Sequence, residues 1–216
     1  MKSDDQVQRD VLAELAWDPR VQHHHVGVSV EAGVVSLTGT VPSFVEKVAA
    51  EQAARRVGGV RALAEEIKVH RASDKKWSDE EIAKRICDLF DWDAIVPADK
   101  LSVTVEHGWV TLSGSVDWQY QRDAAWKAAG RIHGVTGISN LVTIRQVPTP
   151  ADVRDRIVDA FHRHADIDAG SIRVLTDGGK VTLGGIVHAY REREIAERAA
   201  WAAPGVTAID DNIVVA

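Results

Sequence analysis

The sequence predicts an α+β protein made of three tandem copies of one small domain, each a three-stranded sheet packed against two helices in the order α-β-β-α-β. Three observations predict it: an ungapped internal repeat, helix-start signals at the head of each copy, and period-two alternation closed by glycine turns. Adding 75 to Val35-Ser36-Leu37-Thr38-Gly39 gives Val110-Thr111-Leu112-Ser113-Gly114, and a further 71 gives Val181-Thr182-Leu183-Gly184-Gly185. The same offsets align Val28, Val103 and Val174, then Gly33, Gly108 and Gly179, then Gly59-Val60, Gly134-Val135 and Gly205-Val206. They place the copies at residues 1–70, 78–145 and 149–216, joined by an eight-residue stretch at 70–77 and a four-residue stretch at 145–148.

The elements follow in order. Ser3-Asp4-Asp5-Gln6 and Ser78-Asp79-Glu80-Glu81 match a capping box; Thr149-Pro150-Ala151-Asp152 keeps a hydroxyl cap and puts proline at the first helical position. Behind each cap runs an apolar stripe at i, i+4, i+8: Val7-Val11-Leu15, Ile82-Ile86-Phe90 and Val153-Ile157-Phe161. Alternating strands follow at Val26-Val28-Val30, Leu101-Val103-Val105 and Ile172-Val174-Thr176. An acidic residue and a glycine turn then lead into the return strand, where Gly39 and its equivalents predict a bulge or a close backbone approach. A second helix carries Ala49-Ala50-Ala53-Ala54, Ala124-Ala125-Ala128-Ala129 and Ile195-Ala196-Ala199-Ala200, small side chains that let it lie close on a sheet. The unit closes with an apolar strand at Ile67-Val69, Val142-Ile144 and Ile213-Val215. Units this short have small cores, so extensive contacts between repeats are expected.

Composition narrows the function. The 216 residues carry a formal charge of −6, which disfavours nucleic acid because phosphate binding needs a basic stripe. Cys87 is the only cysteine, so no internal disulfide or multi-cysteine metal site forms; its apolar neighbour Ile86 predicts a reduced structural thiol. There is no apolar run long enough for a transmembrane segment and no signal-peptide core after Met1, so the sequence reads as cytoplasmic, or periplasmic if a leader has been removed.

The pattern G-x-V-x-L-x-G-x-V, a helix with paired alanines, then G-V and an apolar closing strand, resembles the BON domain family. Gly33–Val41, Ala53-Ala54 and Gly59-Val60 carry it in the first copy. Gly108–Val116, Ala128-Ala129 and Gly134-Val135 carry it in the second, and Gly179–Val187, Ala199-Ala200 and Gly205-Val206 in the third. The resemblance implies non-catalytic, osmotic-stress-associated modules that contact phospholipid or membrane surfaces; many members are exported, and one cytoplasmic group, paired with a LysM module, binds potassium. The family usually has an Asn shortly after the Gly-Val; Asn140 and Asn212 stand one register apart, and the first copy has Glu65-Glu66.

Recurrent polar columns are the candidates for shared activity. Glu31, Glu106 and Asp177 precede the turn, where turn chemistry explains them. Lys47, Arg122 and Arg193 recur early in the second helix, as phosphate or headgroup contacts or as a solvated helix face with i,i+4 partners such as Glu51–Arg55 and Glu194–Arg198. Among seven tryptophans, Trp17 and Trp92 align at the end of the first helix, where they are expected to cover the core edge. Trp109, Trp118, Tyr120 and Trp126 crowd the second copy, as an exposed interface or as packing between units. His23-His24-His25 has no equivalent in the other copies and reads as a surface loop. With no recurrent nucleophile, acid or base, no metal site and no cofactor motif, the sequence predicts a binding protein rather than an enzyme. Its expected partners are phospholipid headgroups or a protein, through Lys47, Arg122, Arg193, Trp109 and Trp118. The alternatives are cytoplasmic potassium sensing through backbone carbonyls and a chaperone-like interaction protein.

Overall fold

A computed structural model describes residues 2–70, 77–145, 152–164 and 168–215. The first unit contains α1 (Asp4–Trp17), β1 (Val26–Glu31), β2 (Val34–Val41), α2 (Phe44–Arg55) and β3 (Ala62–Val69). The second contains α3 (Asp79–Trp92), β4 (Leu101–Glu106), β5 (Trp109–Val116), α4 (Gln119–Gly130), β6 (Gly137–Asn140) and β7 (Thr143–Ile144). The third contains α5 (Val153–Arg163), β8 (Ile172–Asp177), β9 (Lys180–Val187), α6 (Tyr190–Trp201) and β10 (Ala208–Val215). The two linkers largely, and the Thr149–Ala151 helix start wholly, lie outside the described residues.

Each sheet is closed within its own unit, with the return strand in the middle. β1 pairs antiparallel to β2, and β3 pairs parallel to β2 through the α2 crossover. The other units repeat this pairing. Both helices cover one face, where the alternating residues Val35, Leu37 and Val41 meet the α1 stripe Val7, Val11, Leu15 and the α2 face Ala49, Ala50, Ala53, Ala54. The alanines matter because a parallel crossover helix must seat directly on its sheet.

Gly39, Gly114 and Gly185 resolve as a close backbone approach. Their φ values are +121°, +125° and +132°, and an added Cβ would lie 2.0–2.1 Å from the carbonyl oxygens of His25, Lys100 and Ser171. No other residue fits there.

The caps differ from expectation. Ser78 and Glu81 complete a capping box, whereas at the first helix only Ser3 Oγ accepts from Gln6 N–H, and the Gln6 amide turns to Asp10 instead. α5 starts at Val153, after an Asp152 that makes no side-chain cap, so it is shorter than its counterparts. The second unit's closing strand is broken between β6 and β7, where Asn140 Oδ1 accepts from Val142 N–H at 3.3 Å.

The acidic residue after each serine cap has a role beyond the helix dipole. Asp4 accepts from Ala32 N–H and Gly33 N–H at 2.8 and 2.9 Å, and Asp79 accepts from His107 N–H and Gly108 N–H at 2.7 and 2.9 Å. Each carboxylate ties α1 or α3 to the hairpin turn of its own unit. It also holds a non-glycine residue in the left-handed region, with Ala32 at φ 50° and His107 at φ 52°. In the third copy the aspartate's position is Pro150, and the strained turn position is Gly178, φ 54°. Where the sequence lacks the carboxylate it has the residue that tolerates the turn unaided. Asp4→Ala is expected to destabilise the first unit by about 1.5–3 kcal/mol. Adding Ala32→Gly should recover about 1 kcal/mol of that by removing the left-handed strain. Native-state hydrogen exchange of the β1–β2 amides measures both, and equal losses in the single and double variants would contradict the account.

Candidate binding surface

The basic column is built into the closing strand of each unit. Lys47 Nζ donates to Ile67 O at 2.9 Å and pairs with Glu65 at 2.8 Å. Arg122 donates to Asn140 O at 3.4 Å, while Asn140 Nδ2 returns a bond to Arg122 O at 3.3 Å. Arg193 pairs with Asp211 at 2.5 Å. The partners Glu65, Asn140 and Asp211 are themselves one column under the 75 and 71 offsets. Each also accepts from the backbone N–H two residues on, at Ile67, Val142 and Ile213. This column pins the second helix to the third strand. Sequence comparison missed it because glutamate, asparagine and aspartate differ in identity while sharing an acceptor oxygen. The register shift at Asn212 is then immaterial, since Asp211 holds the position. Each basic head is engaged inside its own unit, and the structure does not bring the three together.

The tryptophans divide into two groups. Trp17 and Trp92 do not cover the core edge: they are 84% and 89% exposed at the ends of α1 and α3, where the helix surface turns away from the sheet. Trp109 lies across Gly137, donates to Ser139 Oγ at 2.9 Å and is half exposed. Trp118, Trp126 and Trp201 stand between units.

Contacts between units are narrow, and they repeat. Phe44, opening α2, packs edge-on against Trp126 with ring centroids 5.7 Å apart, and fills the space left by Gly130 at the end of α4. Trp118 and Gln119, opening α4, face Trp201 at the end of α6 across a cleft. Tyr190, opening α6, carries the Arg55 guanidinium from the end of α2 over its ring at 5.1 Å. Phe44, Gln119 and Tyr190 are equivalent positions, and so are Gly130, Trp201 and Arg55. The same head-to-tail arrangement therefore recurs at three seams, as a direct contact at two and across a cleft at the third, and it closes on itself as a heterologous interface does when its rotation closes.

Among the described residues there is no group of three or more His, Cys, Asp or Glu placed to hold a metal. His23–His25 form a short 3-10 turn at the surface. Cys87 is exposed on α3 rather than structural, because the inward stripe passes through Ile82, Ile86 and Phe90. Partial burial, then Asp91 and Asp88, push its thiol pKa up and away from reactive thiolate. No described helix is long and apolar enough to cross a membrane.

These features define a ring of three small α+β modules with exposed aromatics at the ends of two first helices and no assembled catalytic constellation among the described residues. The BON domain profile matches residues 3–71, 78–146 and 150–216, and the chain belongs to the BON domain family. It is 29% identical over 146 residues to the osmotically-inducible protein Y of Escherichia coli (strain K12), covering 63% of this chain and 70% of that protein. Two solved structures of CdsD, a structural protein of the type III secretion system of Chlamydia trachomatis, align over 96% and 100% of this chain and 91% and 100% of theirs. They do so at 15% and 14% identity with TM-scores of 0.26 and 0.28, too low to carry a structural argument.

One ion cluster ties the first helix to the seam between the first and third units. Arg56 reaches Glu14 at 2.8 Å and Asp18 at 3.2 Å, and Asp18, itself buried, also takes Arg20 at 2.7 Å. The Arg20 bonds, joined by Arg56, hold the Asp18 carboxyl far below its ordinary 3.8 against the opposing effect of burial. A depressed folded value stabilises the fold fully above the unfolded pKa, and that contribution fades as pH falls through the region below about 4. Asp18→Asn is therefore expected to separate most from wild type at about pH 5–7 and least near pH 2. Urea unfolding of the two proteins at matched pH checks this; a gap that stays constant down to pH 2 would contradict it.

Proposed function

We propose that this chain is a non-catalytic, osmotic-stress-associated binding protein that contacts phospholipid membrane surfaces through Trp17 and Trp92. The single observation that carries the reading is the pair of indoles, 84% and 89% exposed at the same position of two units. An indole left that far in water gains by moving to a membrane interface, where its ring meets apolar matter and its N–H stays hydrated. Ile95, half exposed a few residues beyond Trp92, adds apolar surface beside it. The relationship to an osmotically inducible protein supports the stress association.

Charge shapes the mode of contact. The chain carries −6 overall, and Asp91 and Asp93 flank Trp92. Adsorption then comes from the aromatic side chains rather than from attraction to anionic lipid, so it should survive salt and extend to zwitterionic bilayers. Lys47, Arg122 and Arg193, whose heads are occupied by the closing strands, contribute less than the indoles. Trp109 is the next aromatic to test, and Trp118 serves the seam.

Co-sedimentation with phosphatidylcholine vesicles, with and without phosphatidylglycerol, checks the proposal. Wild type is expected to bind both compositions at low and at physiological salt, and Trp17→Ala/Trp92→Ala to lose at least about tenfold in partitioning, a shift of about 1.4 kcal/mol. A wild-type protein that leaves both vesicle types in the supernatant would remove the membrane reading.

A further inference from the structure

The seam between α2 and α6 is unlike the other two. Its cleft, about 310 Å³, is bordered by four arginines, Arg55 and Arg56 from α2 and Arg191 and Arg198 from α6, with Gln52 and Glu194 beside them. Four arginines around one cleft concentrate positive charge there, and the fold supplies counter-charge unevenly, leaving Arg191 and Arg198 exposed. Glu51 holds Arg55 at 2.5 Å, and Glu14 and Asp18 hold Arg56. Helical spacing alone predicts that Glu194 will neutralise Arg198, four residues on. It turns across the seam instead, 3.9 Å from Arg55.

Arg191 and Arg198 consequently have no hydrogen-bond or ion-pair partner among the described residues, although Arg198 stands near enough to influence Asp123 of α4. They lie two turns apart on one face of α6, so both guanidiniums border the same cleft. Arg55 Nε is buried with no acceptor, a third donor at this cleft without a partner among the described residues. Unfilled N–H groups and uncompensated positive charge around a cleft of this size fit an oxyanion with several acceptor oxygens, which arginine forks grip in two-point fashion.

We propose that this cleft binds a phosphate-bearing anion and that the bound anion clamps the third unit to the first. The site is distinct from the exposed tryptophans and does not depend on them. The anion bridges Arg191 and Arg198 of α6 to Arg55 of α2, supplying the acceptors that the protein lacks there. It adds to the closure that Tyr190 and Arg55 already make, because an anion that binds only the closed seam shifts the chain further toward closure. The phosphate comes either from a soluble phosphate compound or from a lipid headgroup, and the same arginines serve both.

Isothermal calorimetry on the full chain with inorganic pyrophosphate, at constant ionic strength, tests the site. Arg191→Gln/Arg198→Gln removes two groups that the fold does not use and is expected to weaken binding at least tenfold. Lys84→Gln/Arg131→Gln removes the same charge from exposed positions elsewhere and is expected to leave binding within about twofold of wild type. No heat of binding in wild type beyond a chloride control, or an equal loss in both double variants, would overturn the proposal. Vesicles containing phosphatidylglycerol distinguish the sources. Binding that pyrophosphate competes away and the Arg191/Arg198 variant weakens identifies a headgroup, and vesicle binding indifferent to both identifies a soluble phosphate compound.

Discussion

The second helix of each unit lies between two obligations. Because β2 and β3 run parallel, α2 must cross from one end of the sheet to the other and lie flat upon it, which its alanine face permits. With that face spent on its own sheet, the helix turns its two ends to its neighbours. Its first residue faces the last residue of the next unit's second helix, touching it at two seams and standing across a cleft from it at the third, until the arrangement returns to the start. Three copies close the ring, so no head or tail of this contact is left unpaired.

The closure is made with three different chemistries. Phe44 fits against a glycine and an indole, Gln119 faces Trp201 across an open cleft, and Tyr190 meets the Arg55 cation. The first seam is apolar enough that Phe44 belongs to the second unit's core. The other two leave clefts, lined by aromatic and charged side chains on one side of Arg198 and by arginines on the other. The first seam is filled by aromatic packing, and the other two keep clefts. That inequality, rather than any unit by itself, gives this chain its distinct surfaces.

Much of this was legible in the sequence, because a repeat held in register turns one chain into three aligned readings. The element order, the inward stripes, the close-packed helix and the glycine at Gly39 all follow from columns of like residues. What escaped was carried by unlike residues doing one job. Glu65, Asn140 and Asp211 share only an acceptor oxygen, and Phe44–Gly130, Gln119–Trp201 and Tyr190–Arg55 share only a place. The exposure of Trp17 and Trp92 escaped for another reason. A large apolar residue at a helix end reads as core cover by type, and only the direction of the helix end decides whether core lies beneath it. The helix start at Thr149 lies outside the described residues, and α5 begins at Val153, the first residue of its apolar stripe.

Ring closure rests on the contact between Tyr190 and Arg55, which joins the first unit to the third with no linker between them. A double-mutant cycle with Arg55→Gln and Tyr190→Leu, read by thermal unfolding of the full chain, measures that contact directly. A closed ring predicts a favourable coupling of about 0.5–1 kcal/mol between the two positions. Strict additivity of the two substitutions would contradict closure of the ring through this contact.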